Sequence, residues 1–268
     1  MIGVLISHPC SAMILETDTI AVVAKELEKA DQDTLVIFDV DDVLMAPTDE
    51  FAFRPLIRKN LYKALKANHS KKELEILTSA IFQKRTVQMV NPKVIDIIDN
   101  LKQRKILTTA LTSWWTGKYG KISKMEDLRF KGLNEIGISF ISLSPFKMDK
   151  AFPDIPTPFD VPMIKNGIII TSCGDKGLVL KAALNDSHLK IKKIIFIDDQ
   201  LSQLHSVEKI CQDLGIEFTG IYYTEVLSIP LPKLDEQKEK ARFEILEKEG
   251  VWLLDKELDQ KLACKESA

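Results

Sequence analysis

The sequence predicts an α/β protein built on a mostly parallel sheet, and three features carry that expectation. Short, continuous apolar runs such as "TLVIF" (34–38) and "KKIIFI" (192–197) read as strands buried on both faces. Segments with apolar residues at helical spacing lie between such runs, so strand and helix alternate along the chain. Two of the runs also end in clustered acids: Asp39, Asp41 and Asp42 after the first, Asp198 and Asp199 after the second. Burying a carboxylate without a partner costs several kcal/mol, so each cluster calls for a metal ion, a phosphate-binding site or an unusual protonation state.

Taken in order, "IAVVAKELEKA" (20–30) has helical periodicity and leads into the 34–39 strand. Pro47 and Thr48 break the chain, and two helices follow, one with Pro55 in its first turn and one opened by a Ser70/Glu73 capping box. A helix starting at Asn91 and Pro92 carries Val94, Ile97, Ile98 and Leu101 on one face. It delivers the chain to "ILTTALTSWW", a strand ending at Thr112 and Ser113. A helix near 123–136 precedes "GISFISL", read as a third strand, and the proline-rich stretch 144–165 reads as an irregular excursion. "NGIIITSC" is a further strand, with a helix beginning just behind Lys176. After "KKIIFI", Leu201, Leu204, Val207, Ile210 and Leu214 mark a helix, "IEFTGIYY" a strand, and 234–265 a C-terminal helix. The expected organisation is a core of residues 20–48 and 91–225, a small helical insertion at 49–90, and a C-terminal helical segment at 226–268.

Composition narrows the function classes. A net charge of −2 gives no global electrostatic footprint for nucleic acid, and none is expected as a partner. Cys10, Cys173, Cys211 and Cys264 lie far apart without CxxC spacing, and His8, His69, His188 and His205 are scattered, so neither zinc nor a disulfide framework is expected. Cys173 reads as a small buried residue rather than a redox centre. No stretch approaches the length of a membrane span. The N-terminal "MIGVLISHPCSA" resembles the end of a signal peptide but lacks a basic region before its short apolar run. As written the chain reads as cytoplasmic; a truncated export signal would make it periplasmic. The oligomeric state is not legible.

In parallel α/β sheets, ligands bind beyond the carboxyl ends of the strands. Asp39 and Asp41, Thr112, and Asp198 with Asp199 all sit at such ends, and Lys176 adds a cation at a helix start. Carboxylates from two strands form an oxygen-rich site suited to Mg²⁺, a hard cation that keeps water ligands and binds substrate phosphate.

This ordered set resembles the haloacid dehalogenase (HAD) superfamily of phosphotransferases over residues 34–225. "FDVDDVL" is similar to its first motif, "TALTS" to its second, "DKG" to its third and "IFIDD" to its fourth. "LETDT", "NGIIIT" and "DKGLVL" resemble more narrowly a bacterial branch of HAD-like proteins of unassigned function, whose members often carry export signals. The resemblance implies a Rossmann-like core with a small cap and a Mg²⁺-dependent phosphatase acting on a phosphorylated substrate. By that resemblance Asp39 is the nucleophile that forms an aspartyl-phosphate. Asp41 is the general acid and base, with a pKa expected above that of an ordinary Asp. Thr112 binds the transferring phosphoryl group, and Lys176 neutralises it and steadies Asp39. Asp39, the carbonyl of Asp41 and Asp199 hold the metal, with Asp198 behind them.

Asp42 and Val43 depart from the commoner residues of the first motif, and Trp114 and Trp115 follow the second where many relatives are polar. The tryptophans read as packing more than as a substrate entrance. Residues 54–85 hold nine Lys or Arg against two acids, either a steering surface for phosphorylated substrates or solvated helix faces. A signalling receiver also uses Asp, Thr, Lys and a metal, but places its acid pair first; the order here excludes it. A phosphoryl-transferring mutase, or a non-catalytic binding or host-interaction protein on the same scaffold, remains as the alternative.

Overall fold

The computed structural model describes residues 11–48, 55–230 and 235–266. The N-terminal apolar run with His8 and Cys10, and residues 49–54 at the start of the insertion, lie outside the described residues. In chain order the elements are β1 (Ala12–Thr17), α1 (Ile20–Leu27), β2 (Thr34–Phe38), β3 (Met45–Pro47), α2 (Pro55–Asn68), α3 (Lys71–Lys84), β4 (Val87–Met89), α4 (Val94–Gln103), β5 (Leu107–Thr112) and α5 (Met125–Glu135). They continue with β6 (Lys150–Ala151), β7 (Met163–Lys165), β8 (Ile168–Ile170), α6 (Lys176–Ser187), β9 (Lys193–Asp198), α7 (Leu201–Leu214), β10 (Glu217–Tyr223), α8 (Glu236–Glu249) and α9 (Asp255–Glu266). No described helix is long and apolar enough to cross a membrane.

Among the described residues the main sheet has eight strands in the order β1-β10-β9-β2-β5-β8-β7-β6. The run from β1 to β8 is parallel, and β7 and β6 add an antiparallel edge. The result is a Rossmann-like α/β sheet. Its continuous apolar strands follow from coverage on both faces. Val36 and Phe38 pack with α1, α4 and α5 on one side, while Leu35 and Ile37 pack with α6 and α7 on the other.

Several expectations change. "GISFISL" forms no strand: Gly137 turns the chain at φ +77°, and Phe140 accepts backbone hydrogen bonds from Leu143 and Ser144 in a tight turn. Its apolar residues Ile138, Phe140 and Leu143 are still buried, so the hydrophobic signal was real, but it reports docking onto the core rather than pairing. The place beside β5 goes to β8. The irregular excursion contains the two short strands β6 and β7, and β1 adds a parallel edge strand ahead of α1. The C-terminal helix is two helices, separated where Trp252 turns into a buried cluster.

The insertion leaves the core through a small antiparallel hairpin, β3 with β4, which carries α2 and α3 between its strands. The capping box opens α3 as its sequence indicates, Ser70 and Glu73 each satisfying the other's backbone N–H. Leu65, Leu74, Leu77 and Ala80 of the insertion bury against Phe243, Leu246 and Trp252. The C-terminal segment therefore braces the insertion, with the Lys84–Glu257 ion pair (2.8 Å) and a His69–Glu247 hydrogen bond (3.0 Å) at its margin.

Candidate active site

The three adjacent strands β9, β2 and β5 bring the sequence-selected residues to one edge. Parallel register carries Phe38 beside Ile197, and the Asp39 N–H continues the ladder by donating to the Ile197 carbonyl (2.8 Å). Asp39 and Asp198 are thereby held side by side at the strand ends. Lys176 reaches them from the first residue of α6, its Nζ 2.8 Å from Asp39 Oδ1 and 2.7 Å from Asp198 Oδ2. The ammonium is about as buried as its partners, at 1% exposure against 6% and 0% for the two carboxylates.

The start of α6 is fixed by its neighbours. Asp175 caps the helix through the Leu178 N–H and also accepts from the Ser206 hydroxyl on α7. Gly177 lies so close to α7 that an added Cβ would stand 2.4 Å from the Ser206 carbonyl oxygen. Only glycine allows this approach, which seats Lys176 under the strand ends. The preceding loop passes Ser172 and Cys173 through the left-handed region and ties Cys173 N–H to the Ser113 carbonyl (3.1 Å). Cys173 is exposed there rather than buried, because the loop lies on the surface between two strand ends.

The carboxylates differ in how their oxygens are used. Asp198 is fully committed, one oxygen to Lys176 and the other to the Gln200 N–H (2.8 Å). Asp199 is not: its Oδ1 is buried without a hydrogen-bond partner among the described residues. Ligand oxygens of Asp39, Asp198 and Asp199 all lie within 4.8 Å of one another, a grouping able to hold a metal ion. Three carboxylates to one ammonium leave a formal charge of −2 in a largely dry site. The consequence is visible in the proton affinities. Burial and the neighbouring Asp39 and Asp198 push the Asp199 carboxyl up to about 8. Burial raises Asp39 too, with Asp198 adding to it and Lys176 opposing. Burial works against the Lys176 ammonium, but its two carboxylates outweigh that and raise its pKa. An orphaned oxygen, oxygen-only donors and an unmet charge of −2 together fit a hard divalent cation.

Thr112 ends β5, is buried, and its hydroxyl accepts from the Trp114 N–H at 3.4 Å. Trp114 and Trp115 are half-buried in an aromatic cluster with Phe82 and Tyr119, and Trp115 stacks on Phe159 at 4.4 Å.

Asp41 stands apart from this group, and here the expectation of a raised pKa is overturned. A single turn follows β2, closed by bonds from the Leu44 and Met45 N–H groups to the Val40 carbonyl, with Asp42 at φ +63°. That left-handed position explains why a short polar residue suits it. The turn aims the Asp41 carboxylate at two arginines: Oδ1 meets Arg85 Nη2 at 2.6 Å and Oδ2 meets Arg129 Nη2. Burial alone would raise its pKa; the Arg129 and Arg85 guanidiniums outweigh burial and hold it well below the usual carboxylate range.

Neither arginine was singled out by the sequence reading. Arg85 sits just beyond α3, inside the basic stretch 54–85. Arg129 had a usable signal: it lies on the buried stripe of α5 with Met125, Gly132 and Leu133, and a charged residue on an apolar stripe demands a partner. Its guanidinium lies over the Trp114 ring at 4.1 Å.

The family described as "Protein of unknown function (DUF2608)" matches residues 16–259, and the chain belongs to that family. No curated protein and no solved structure matches it.

Proposed function

We propose that this member of a family of unknown function is a Mg²⁺-dependent phosphomonoesterase of the haloacid dehalogenase type, working through an aspartyl-phosphate. The observation that carries the reading is the Lys176 ammonium bracketed by Asp39 and Asp198 beside the unpartnered oxygen of Asp199. A nucleophilic carboxylate, a fixed cation and metal-ligating oxygens then share one strand edge, which is what phosphoryl transfer requires.

Asp39, Asp199 and the Asp41 carbonyl would hold Mg²⁺, which when bound neutralises charge on the phosphoryl oxygens. Asp39 attacks phosphorus with the oxygen not held by Lys176, forming a new O–P bond as the ester O–P bond breaks. Lys176 neutralises charge on the phosphoryl oxygens and holds Asp39 in place, and the Thr112 hydroxyl donates to a phosphoryl oxygen. Water then attacks the aspartyl-phosphate, returning Asp39 as a carboxylate and releasing inorganic phosphate. The proton of that water passes to the departing phosphate and from there to solvent, because Asp41, with one oxygen on Arg85 and the other on Arg129, is too weak a base to hold it. Leaving groups that depart as stable anions need no proton donor in the first half, so aryl phosphates are favoured over alkyl phosphates.

The test is hydrolysis of p-nitrophenyl phosphate by wild type and Asp39→Asn, with Mg²⁺ and with chelator. The reading expects turnover that needs both metal and the Asp39 carboxylate. A folded, Mg²⁺-binding wild type with no turnover on aryl or alkyl phosphates would overturn it in favour of a mutase or a binding role.

A further inference from the structure

The cations around Asp41 outnumber the anions, and the surplus is buried. Arg129 has no exposed side-chain surface, yet two of its nitrogens, Nε and Nη1, have no hydrogen-bond partner among the described residues. Only Nη2 is used, on Asp41. Arg85, one-fifth exposed, shares the same carboxylate. Two guanidiniums therefore meet a single carboxylate, and both line one open pocket with Trp114, Val87 and Met45, where Lys131 and Glu135 also lie but pair with each other at 3.6 Å. A buried guanidinium with idle donors is costly, because each unsatisfied N–H loses its hydration without replacement. The donors are arranged for a planar or tetrahedral oxyanion, which a guanidinium grips with two parallel N–H bonds. Trp114 holds the Arg129 plane from one side, so the fork is set before a ligand arrives.

We propose that Arg85 and Arg129 form a subsite for a second anionic group of the substrate, a carboxylate or a phosphate separate from the phosphoryl group that is transferred. This deepens the phosphatase reading and rests on it for the word substrate; the anion site itself rests only on the arginines and their pocket. The two recognition points are tied together by the chain. Asp39 and Asp41 are two residues apart in the chain, at most about 7 Å between their Cα atoms, so a small molecule with anionic groups at both ends can engage Lys176 at one and the arginine pair at the other. The subsite selects against neutral esters, since they would leave the idle donors buried and unpaired. It assigns the basic stretch a more specific use than steering, through Arg85, the residue just beyond α3.

Binding, measured by calorimetry in Mg²⁺, tests this without requiring turnover. The probes are methylphosphonate, the phosphonocarboxylates from phosphonoacetate to 4-phosphonobutyrate, and methylenebisphosphonate. Wild type is expected to bind at least one two-headed probe about tenfold or more tighter than methylphosphonate, as two charge-assisted hydrogen bonds would supply. A phosphonocarboxylate as the tightest probe identifies a carboxylate-bearing substrate, and the bisphosphonate a second phosphate. Arg85→Gln is expected to remove that advantage while methylphosphonate binding stays within about twofold. Arg129→Met, checked for folding by circular dichroism, is expected to do the same. Equal affinity of wild type for all the probes, or an advantage that survives both variants, would overturn the subsite. Loss of the phosphatase reading would instead show as absent turnover with the binding advantage intact.

Discussion

Asp39 and Asp41 are separated by one residue and carry the same side chain, yet they occupy opposite electrostatic poles. At the Asp39 pole three carboxylates face one ammonium, and proton affinity rises: Asp199 is pushed up to about 8. At the Asp41 pole two guanidiniums face one carboxylate, and proton affinity drops well below the usual range. The motif spacing fixes where each carboxylate stands; the neighbours supplied by other elements fix its charge. The first pole lacks a cation and the second an anion, so a metal ion and a doubly anionic ligand would each complete one.

The largest expected effect strikes the first pole's chemistry. Asp39→Asn keeps the shape but removes the nucleophile, and p-nitrophenyl phosphate turnover should fall by on the order of 10³-fold or more. Next is the buried cation. Lys176→Met leaves Asp39 and Asp198 facing each other without their shared cation, and urea titration should show a loss of about 3–5 kcal/mol. A smaller loss comes from the second pole. Asp41→Ala strands Arg129, but the carboxylate is about one-third exposed, so the cost should lie near the low end of that range, at about 3 kcal/mol. If Asp41→Ala proved harmless, the arginines would have another partner and the contrast would be weaker than drawn.

The poles should also separate by pH. Without metal, Asp199 keeps its proton in the folded state up to about 8, whereas in the unfolded chain it loses it near the ordinary Asp value. Over that interval the folded state binds more protons, so stability falls as pH rises from about 4 to 8. Asp41 has the opposite sign: its depressed pKa contributes stability that is present above the unfolded value and lost only in acid. Melting temperatures across pH 3–8 should therefore pass through a maximum near pH 4 in chelator. Mg²⁺ should raise the alkaline side most, because binding favours the deprotonated carboxylates. The smallest effect is expected of Trp114→Leu, which removes the ring under Arg129 and should cost about 1–2 kcal/mol.

The first pole was legible because its residues lie at strand ends, where an apolar run followed by acid marks both element and edge. The second was not, because Asp41 is partnered by Arg85 and Arg129, 44 and 88 residues away. Only the charge on the buried stripe of α5 hinted at it. The same limit explains why "GISFISL" is no strand: burial shows in the sequence, but whether a buried segment pairs depends on which distant segment lies beside β5. Residues Ile168–Ile170 hold that place. The bracing of the insertion by α8 is equally long-range and left no local mark.

The central claim is that Asp39 accepts the phosphoryl group at a metal-completed site. The most direct measurement is acid quench of the protein after brief exposure to ³²P-labelled acetyl phosphate and Mg²⁺, followed by peptide mapping. The account predicts a hydroxylamine-sensitive label on the peptide containing Asp39, absent with chelator and absent in Asp39→Asn. Turnover that proceeds with no label on that peptide, and equally well in Asp39→Asn, would contradict it.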